Sequence, residues 1–225
     1  MRQIALDTET TGLSHNAGDK ILEIAAVELV DRRLTGNNFH RYVNPERTIS
    51  RGALQVHGIS ADFLKDKPVF AQIAHELVDF IAGAELIIHN APFDVGFINS
   101  ELKQAKHAKI LTDYCKIFDT LVYARTKHPG QRNSLDALCK RYNVNNSNRD
   151  LHGALIDAKI LALIYLALTG GQFDLFDGTL NHDRYDELAM ENITNHLTGS
   201  SYIIQPTEDE ITQHEKMLEF IMSMA

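Results

Sequence analysis

The spacing of apolar residues changes along the chain, and this change limits the fold more than any other feature. Residues 2–7, 20–30 and 37–44 carry the continuous or alternating apolar pattern of strands. Over residues 68–81 the apolar side chains instead recur at helical spacing. Early strands followed by helices that alternate with short strands predict an α/β domain with a mixed sheet.

The other elements are predicted from local signals. A polar stretch at residues 35–38 predicts the turn between the second and third strands. Later segments have strand or helix character in alternation: a strand over 85–89, a helix over 94–106, a short strand at 117–118, and helices over 120–127, 134–142 and 154–168. We therefore expect the α/β domain to occupy residues 1–171.

The C-terminal part has a different composition. Residues 172–206 mix small polar residues with scattered apolar ones, which is typical of a linker. Thr207 and Glu210 form a capping box, so residues 207–225 are predicted to form a tail helix. Its apolar stripe either docks on another protein or packs back on its own domain.

Charge and composition exclude several classes of protein. The 225 residues carry a net charge of −8, which argues against a broad basic face for nucleic acid and predicts weak unaided DNA affinity. No apolar run approaches the roughly 20 residues of a membrane span, so no membrane association is expected. Two cysteines do not make a disulfide framework, and two reduced thiols in a cytoplasmic protein are expected.

Four carboxylates and one imidazole stand out in three separate segments: Asp7, Glu9, Asp94, His152 and Asp157. Each has a structural alternative when taken alone: a solvated strand end, a helix N-cap, a solvated helix face, or an ordinary histidine. Together they predict one charged centre, because four ionised carboxylates share a small space only when cations neutralise them or their pKa values rise. Gly153 lets His152 lie in a loop over the site, while Asp157 reaches it from the second turn of the following helix.

Oxygen ligands favour Mg²⁺ or Mn²⁺ over zinc, which would need nearby cysteine or histidine ligands. Two such ions about 4 Å apart can flank a scissile phosphate, one activating water and the other stabilising the leaving oxygen. His152 is the candidate general base, since histidine titrates near neutral pH. The pattern therefore predicts two-metal hydrolysis of a phosphodiester.

The three segments resemble the motifs of the DEDDh 3′→5′ exonucleases, and among these the proofreading subunits of bacterial replicative polymerases. The matching stretches are Asp7–Leu13 (DTETTGL), His89–Asp94 (HNAPFD) and His152–Asp157 (HGALID), with further likeness at residues 56–59 and 133–139. The resemblance covers roughly residues 2–171. It implies a ribonuclease H-like mixed five-stranded sheet flanked by helices, and release of nucleoside 5′-monophosphates from a DNA 3′ end, single-stranded or mispaired.

The resemblance also implies roles for individual residues. Four would be metal ligands: Asp7, Glu9, Asp94 and Asp157. His152 would be the general base and would also contact the substrate. Four others would line the pocket of the terminal nucleotide: Thr10, Leu13, His57 and Phe93.

The linker carries a second resemblance. Residues 172–176 (QFDLF) are similar to the peptide with which bacterial replication proteins bind the sliding clamp, with Gln172, Leu175 and Phe176 as the contacts. The family further implies that the tail tethers the polymerase (alpha) subunit, and it leaves room for a small accessory subunit. Such tethering would replace intrinsic DNA affinity by effective concentration.

Two other functions compete with proofreading. One is a stand-alone exoribonuclease of the same superfamily, and the other is a catalytically silent scaffold between clamp and polymerase. A clamp-like peptide and an amphipathic tail disfavour the first, and the complete set of five site residues disfavours the second.

Overall fold

A computed structural model describes residues 1–146 and 152–170 of the chain. It has five strands: β1 Arg2–Thr10, β2 Ile21–Val30, β3 Arg33–Tyr42, β4 Glu85–Ile88 and β5 Lys116–Asp119. The α-helices in these ranges are α1 Arg51–His57, α2 Ala61–Leu64, α3 Phe70–Ile81, α4 Ala91–Gln104, α5 Thr120–Lys127, α6 Leu135–Tyr142 and α7 Ala154–Thr169. Met1–Gly171 forms one compact unit.

The strands form one mixed sheet in the order β3-β2-β1-β4-β5. The β1–β2 and β2–β3 pairs are antiparallel, whereas β1–β4 and β4–β5 are parallel. This confirms the predicted α/β fold with a mixed five-stranded sheet. Among the helices in the described residues, none is long and apolar enough to cross a membrane.

Helices cover both faces of the sheet, and the alternation of side chains along β1 shows how. Ile4 and Leu6 belong to the core formed with α3 and α4. Ala5 belongs to the core formed with α7, and the Gln3 amide on the same face bonds to the Tyr165 hydroxyl of α7. Because successive side chains of a strand alternate between faces, the later odd-numbered residues of β1 also face α7.

The predicted turn at residues 35–38 is wrong. The chain turns at Asp31 and Arg32, which both have positive φ, so β2 and β3 are joined by a two-residue hairpin connection. Residues 35–38 lie inside β3, where Gly36 has φ +82° and the pairing with β2 shifts register between Val27 and Leu29. Gly36 therefore allows an irregularity within β3 and does not mark the end of a strand.

Other differences concern boundaries. β1 continues to Thr10 and not only to residue 7, because its pairing with β2 extends to Ile21. The helix predicted from residue 94 begins at Ala91. Helices α1 and α2 were not predicted, since each is too short to show a periodic pattern. The predicted linker over 172–206, the clamp-like peptide and the tail helix over 207–225 lie outside the described residues.

Candidate active site

One cavity of about 270 Å³ brings together all five residues singled out from the sequence. Its lining comes from β1, the start of α4, the start of α6 and the start of α7. The described lining residues are Asp7, Thr8, Glu9, His89, Asn90, Phe93, Asp94, Ser134, Leu135, Asp136, His152 and Asp157. Strand ends and first helical turns therefore build this site.

The position of Asp7 and Glu9 follows from where strand pairing stops. Pairing between β1 and β4 ends at Ala5, whereas β1 continues alongside β2 to Thr10. Beyond Ala5, β1 is thus no longer covered by β4, which leads into α4. Asp7 and Glu9 both lie on the α7 face of this extension, because side chains two residues apart share a face.

Asp94 reaches the same cavity from α4. It lies in the first turn of that helix, so it is not the N-cap, which is Asn90 with φ +70°. The Thr8 hydroxyl donates a 2.7 Å hydrogen bond to its Oδ1. Burial raises the pKa of the Asp94 carboxyl to about 7, against the lowering effect of the Thr8 hydrogen bond.

His152 and Asp157 come from the start of α7. Gly153 is the N-cap and His152 lies just before it, as predicted, whereas Asp157 is in the first turn and not the second. His152 Nδ1 lies 3.3 Å from Asp157 Oδ2, and the His152 side chain remains 45 % exposed. An oxygen each of Glu9 and Asp157 and a ring nitrogen of His152 lie within 4.8 Å of one another.

The donor set fits a divalent cation. Glu9, Asp94 and Asp157 are buried, and Asp7 is half-buried. None of the described residues that line the cavity is Lys or Arg. Buried carboxylates that converge without a lysine or arginine need a bound cation or a proton to neutralise them, and oxygen-rich sites of this kind suit hard cations.

Comparisons with known proteins show which family has this sequence. The family model described as "Exonuclease" matches residues 4–165. DNA polymerase III subunit epsilon of Rickettsia felis is 47 % identical over 226 residues, covering 100 % of this chain and 99 % of that protein. The Escherichia coli K12 protein of the same name is 48 % identical over 228 residues, covering 98 % and 93 %.

The chain belongs to the exonuclease family, among its DNA polymerase III epsilon members.

A solved structure of exonuclease X in complex with 5′ overhanging duplex DNA is similar, with a TM-score of 0.57 and 28 % identity over 76 % of this chain and 93 % of that one. Membership of the exonuclease family makes the chain an enzyme of a divalent-metal-dependent class, and the acidic cavity is its candidate metal site. The fold expected of an epsilon-type exonuclease is the one observed.

The remaining residues predicted for this epsilon-type site lie at different distances from the cavity. Phe93 lines it. Thr10, Leu13 and His57 are not among the described lining residues. The Thr10 hydroxyl donates to the Gly12 carbonyl oxygen at 2.6 Å, which shapes the loop that leaves Leu13 87 % exposed.

His57 ends α1 and is buried beside the site. Its Nδ1 accepts the Ile59 N–H at 2.9 Å, so the proton of the neutral ring is on Nε2. Burial lowers the pKa of His57, against the nearby Glu23 carboxylate, which raises it, while His152 adds to the lowering. The Val56 carbonyl accepts the backbone N–H of His152 at 3.1 Å, so α1 adjoins the candidate base.

Several residues of the site were not predicted as such. Thr8 lies inside the first acidic motif, and the alternation of β1 places it opposite its acidic neighbours, toward Asp94. Ser134 and Asp136 enter from α6, whose N-cap was predicted only as a helix signal. Strand or capping rules could have flagged these residues, but their approach to the cavity depends on long-range packing.

Proposed function

We propose that this exonuclease proofreads for a bacterial replicative DNA polymerase, hydrolysing the 3′-terminal phosphodiester and releasing nucleoside 5′-monophosphates. The single observation that supports this chemistry most strongly is the convergence of Asp7, Glu9, Asp94 and Asp157 in one cavity without a lining Lys or Arg among the described residues. A scissile phosphate adds further negative charge, so the site needs cations to accept it.

The four carboxylates are the proposed metal ligands. Bound there, two divalent cations, Mg²⁺ or Mn²⁺, would activate water and stabilise the leaving 3′ oxygen. Thr8 orients Asp94 through its hydrogen bond, which directs Asp94 toward the cavity from the α4 side. Glu9, Asp157 and the half-buried Asp7 line the side of the cavity opposite Asp94.

His152 is the proposed general base. Its Nδ1 lies against Asp157 Oδ2 at 3.3 Å, so Nε2 is the ring atom that takes the proton of the attacking water. The exposed fraction of its side chain leaves the ring within reach of substrate and solvent. The proton can then pass to bulk water without a second buried acid.

The terminal nucleotide would lie beside Phe93, a half-buried aromatic residue that lines the cavity and could stack on a base. We place Thr10, Leu13 and His57 around the same nucleotide. Exposed Leu13 suits apolar contact with a base, Thr10 holds the loop that carries Leu13, and His57 adjoins His152. In this arrangement His152 also contacts the scissile phosphate.

The proposed partners are the alpha subunit of DNA polymerase III, the sliding clamp and a small accessory subunit. The proposed layout is an exonuclease domain over 1–171, a linker over 172–206 with clamp contacts at Gln172, Leu175 and Phe176, and a polymerase-binding helix over 207–225. The net charge of −8 supports tethering, because tethering replaces affinity for DNA. Such a replicase works in the cytoplasm, where cysteine thiols stay reduced, and both cysteines of this chain, Cys115 and Cys139, are buried.

The match to epsilon subunits over the whole chain, including residues 172–225, favours proofreading over a stand-alone exoribonuclease. The intact acidic cavity disfavours a silent scaffold.

A double variant, Asp7→Ala with Glu9→Ala, tests the proposal on DNA with a mispaired 3′ end, with and without Mg²⁺. We expect release of mononucleotides to fall at least about 10³-fold, because two ligands of the proposed cations are lost. Glu76→Ala with Asp79→Ala is the matched control, since it removes two exposed acidic groups from α3 and should leave activity unchanged. Full activity in the Asp7/Glu9 variant, or a preference of the wild type for RNA ends, contradicts the proposal.

A further inference from the structure

Glu23 is a deeply buried carboxylate next to the site that the proposed chemistry does not use. It lies on β2, directly opposite Glu9 in the antiparallel pairing with β1, and is only 2 % exposed. It therefore lies on the same face of the sheet as Glu9 and α7. Burying a charged group at this depth is costly unless hydrogen bonds satisfy it.

Both oxygens of Glu23 have defined contacts. Oε1 lies 2.7 Å from His40 Nε2 on β3, and Oε2 accepts the backbone N–H of Ala154 at 3.2 Å. The hydroxyl of Tyr42, its cross-strand neighbour, also bonds to this carboxylate. The carboxylate thus joins β2 and β3 to the start of α7, which is 131 residues away in sequence.

Ala154 is the first residue of α7, and its N-cap, Gly153, has no side chain with which to cap the helix. Glu23 supplies a capping acceptor from another element, and its negative charge suits the N-terminal end of a helix. Two residues earlier, the His152 N–H bonds to the Val56 carbonyl of α1. Glu23 and α1 therefore hold the backbone on the two sides of the glycine that follows His152.

We propose that Glu23 is a positioning residue for the hydrolysis: through Ala154 it fixes the His152–Gly153 segment so that the His152 ring stays over the carboxylates. This inference rests on the proposed role of His152 as general base. Because a misplacement of about 1 Å can lower a rate by about 10²-fold, loss of this support should affect turnover more than binding.

The test uses the full chain, Mg²⁺ and a single-stranded DNA oligonucleotide in steady-state kinetics. Glu23→Ala should lower kcat about 10- to 100-fold and change KM less than about threefold. Glu23→Gln should restore most of kcat, because its amide oxygen can still accept the Ala154 N–H and its NH₂ can donate to His40. Mn²⁺ affinity, measured by calorimetry, should stay within about threefold of the wild-type value in both variants.

Glu28→Ala is the matched control. Glu28 lies on the same strand and is also buried. It accepts hydrogen bonds from Arg2 at 2.6 Å and from Thr35 at 2.8 Å, and within residues 1–146 and 152–170 none of its hydrogen bonds goes to α7. The Glu28→Ala variant should be less stable than the wild type but should keep the wild-type kcat. Equal losses of kcat in the Glu28 and Glu23 variants would mean that Glu23 acts only through stability, and would overturn the proposal.

A double-mutant cycle separates this inference from the function on which it rests. If Glu23 acts through His152, Glu23→Ala should cause no further loss of kcat in a His152→Ala background, whereas independent effects would multiply and overturn the proposal. Wild-type kcat in His152→Ala alone would refute the proposed base instead. Should Glu23→Ala not fold, Glu23→Asp replaces it: it keeps the charge but loses reach, and wild-type kcat in that variant also overturns the proposal.

Discussion

At the scale of single residues, Asp94 shows how the site is prepared for a cation. Asp94 is 4 % exposed, and burial raises the pKa of its carboxyl, against the single side-chain hydrogen bond from Thr8. Without metal, a proton can neutralise this group as the pH falls below about 7. A bound cation has to displace that proton, so cation binding and protonation compete at Asp94.

The metal-free protein should therefore have a pH-dependent component of stability that comes from Asp94. A carboxyl with a raised folded pKa stabilises the fold fully below its unfolded pKa of 3.8, and this contribution is lost as pH rises through about 7. In EDTA, the wild-type free energy of unfolding minus that of Asp94→Asn should fall between about pH 4 and 7, by on the order of 1 to 4 kcal/mol. Urea denaturation at several pH values measures this difference.

Added Mg²⁺ should reverse that trend for the wild type only, since the asparagine variant lacks the charged ligand. A difference that does not change with pH in EDTA would show that Asp94 is ionised in the folded protein throughout this range.

The position of His152 is compatible with two roles, general base and metal ligand. Because its ring lies near both Glu9 and Asp157, it could serve as base or as ligand. We expect His152→Ala to lower kcat about 10²- to 10⁴-fold while Mn²⁺ affinity changes little, as for a base. Kinetics and calorimetry check this, with His75→Ala on the exposed face of α3 as control. A parallel loss of Mn²⁺ affinity would make His152 a ligand.

At the scale of elements, Asp119 connects two helices at the site. It is the N-cap of α5, accepting the N–H groups of Leu121 and Val122 at 2.8 and 3.2 Å. It also accepts the N–H groups of Asn90 and Ala91 at 3.3 and 3.0 Å, at the start of the helix that carries Asp94. One carboxylate thereby satisfies helix-end donors of both α4 and α5.

Asp119→Ala should reduce stability by about 2 kcal/mol and also lower activity, because it removes a cap and leaves four N–H groups without this acceptor. Denaturation and kcat measure the two effects. Asp113→Ala is the control: in the described part of the chain, Asp113 accepts one N–H group, that of Ile110, at 2.9 Å in an exposed turn. If the Asp119 variant lost stability but kept wild-type kcat, the start of α4 would not depend on this bond.

Most elements were predictable, including the short strand β4, but the two shortest α-helices, α1 and α2, were not. Helix α3 and strand β2 matched their predicted positions closely, because ten or more residues repeat one spacing. The turn was misplaced because Gly36 and its polar neighbours resemble a turn locally, whereas Asp31 and Arg32 take positive φ only in the paired hairpin. Helix α1 lacks a period, although it carries His57 and supports His152.

At the scale of the whole molecule, the site lies where the two kinds of strand pairing meet. β1 pairs antiparallel with β2 over nearly its whole length but parallel with β4 only up to Ala5. The uncovered end of β1 therefore faces the first turns of α4, α6 and α7. Helix ends on both faces of the sheet supply the remaining groups, which lets one small cavity collect carboxylates from distant segments.

We predict that catalysis and tethering can be separated. A chain ending at Gly171 should keep kcat on a short single-stranded DNA, because all proposed catalytic groups lie before that residue, but it should no longer co-purify with the alpha subunit. Kinetics and co-purification measure the two properties. A truncated chain that still bound the alpha subunit would assign that contact to residues 1–171.

Substituting the proposed clamp contacts complements the truncation, because it should remove clamp binding alone. Replacing Gln172, Leu175 and Phe176 by Ala in the full chain should abolish clamp binding and leave the alpha subunit bound. Retained clamp binding would exclude this peptide as the contact.

From the sequence alone, the element types of the long segments could be predicted, and five candidate site residues could be singled out: Asp7, Glu9, Asp94, His152 and Asp157. The sequence directly gives the local spacing and the chemistry of the side chains, and these five residues fall within three short motifs. Tertiary structure alone decided which other groups meet them: Thr8 bonds to Asp94 from 86 positions away, and Glu23 bonds to Ala154 from 131 positions away. Such contacts arise from strand register and helix docking, and no local pattern encodes them.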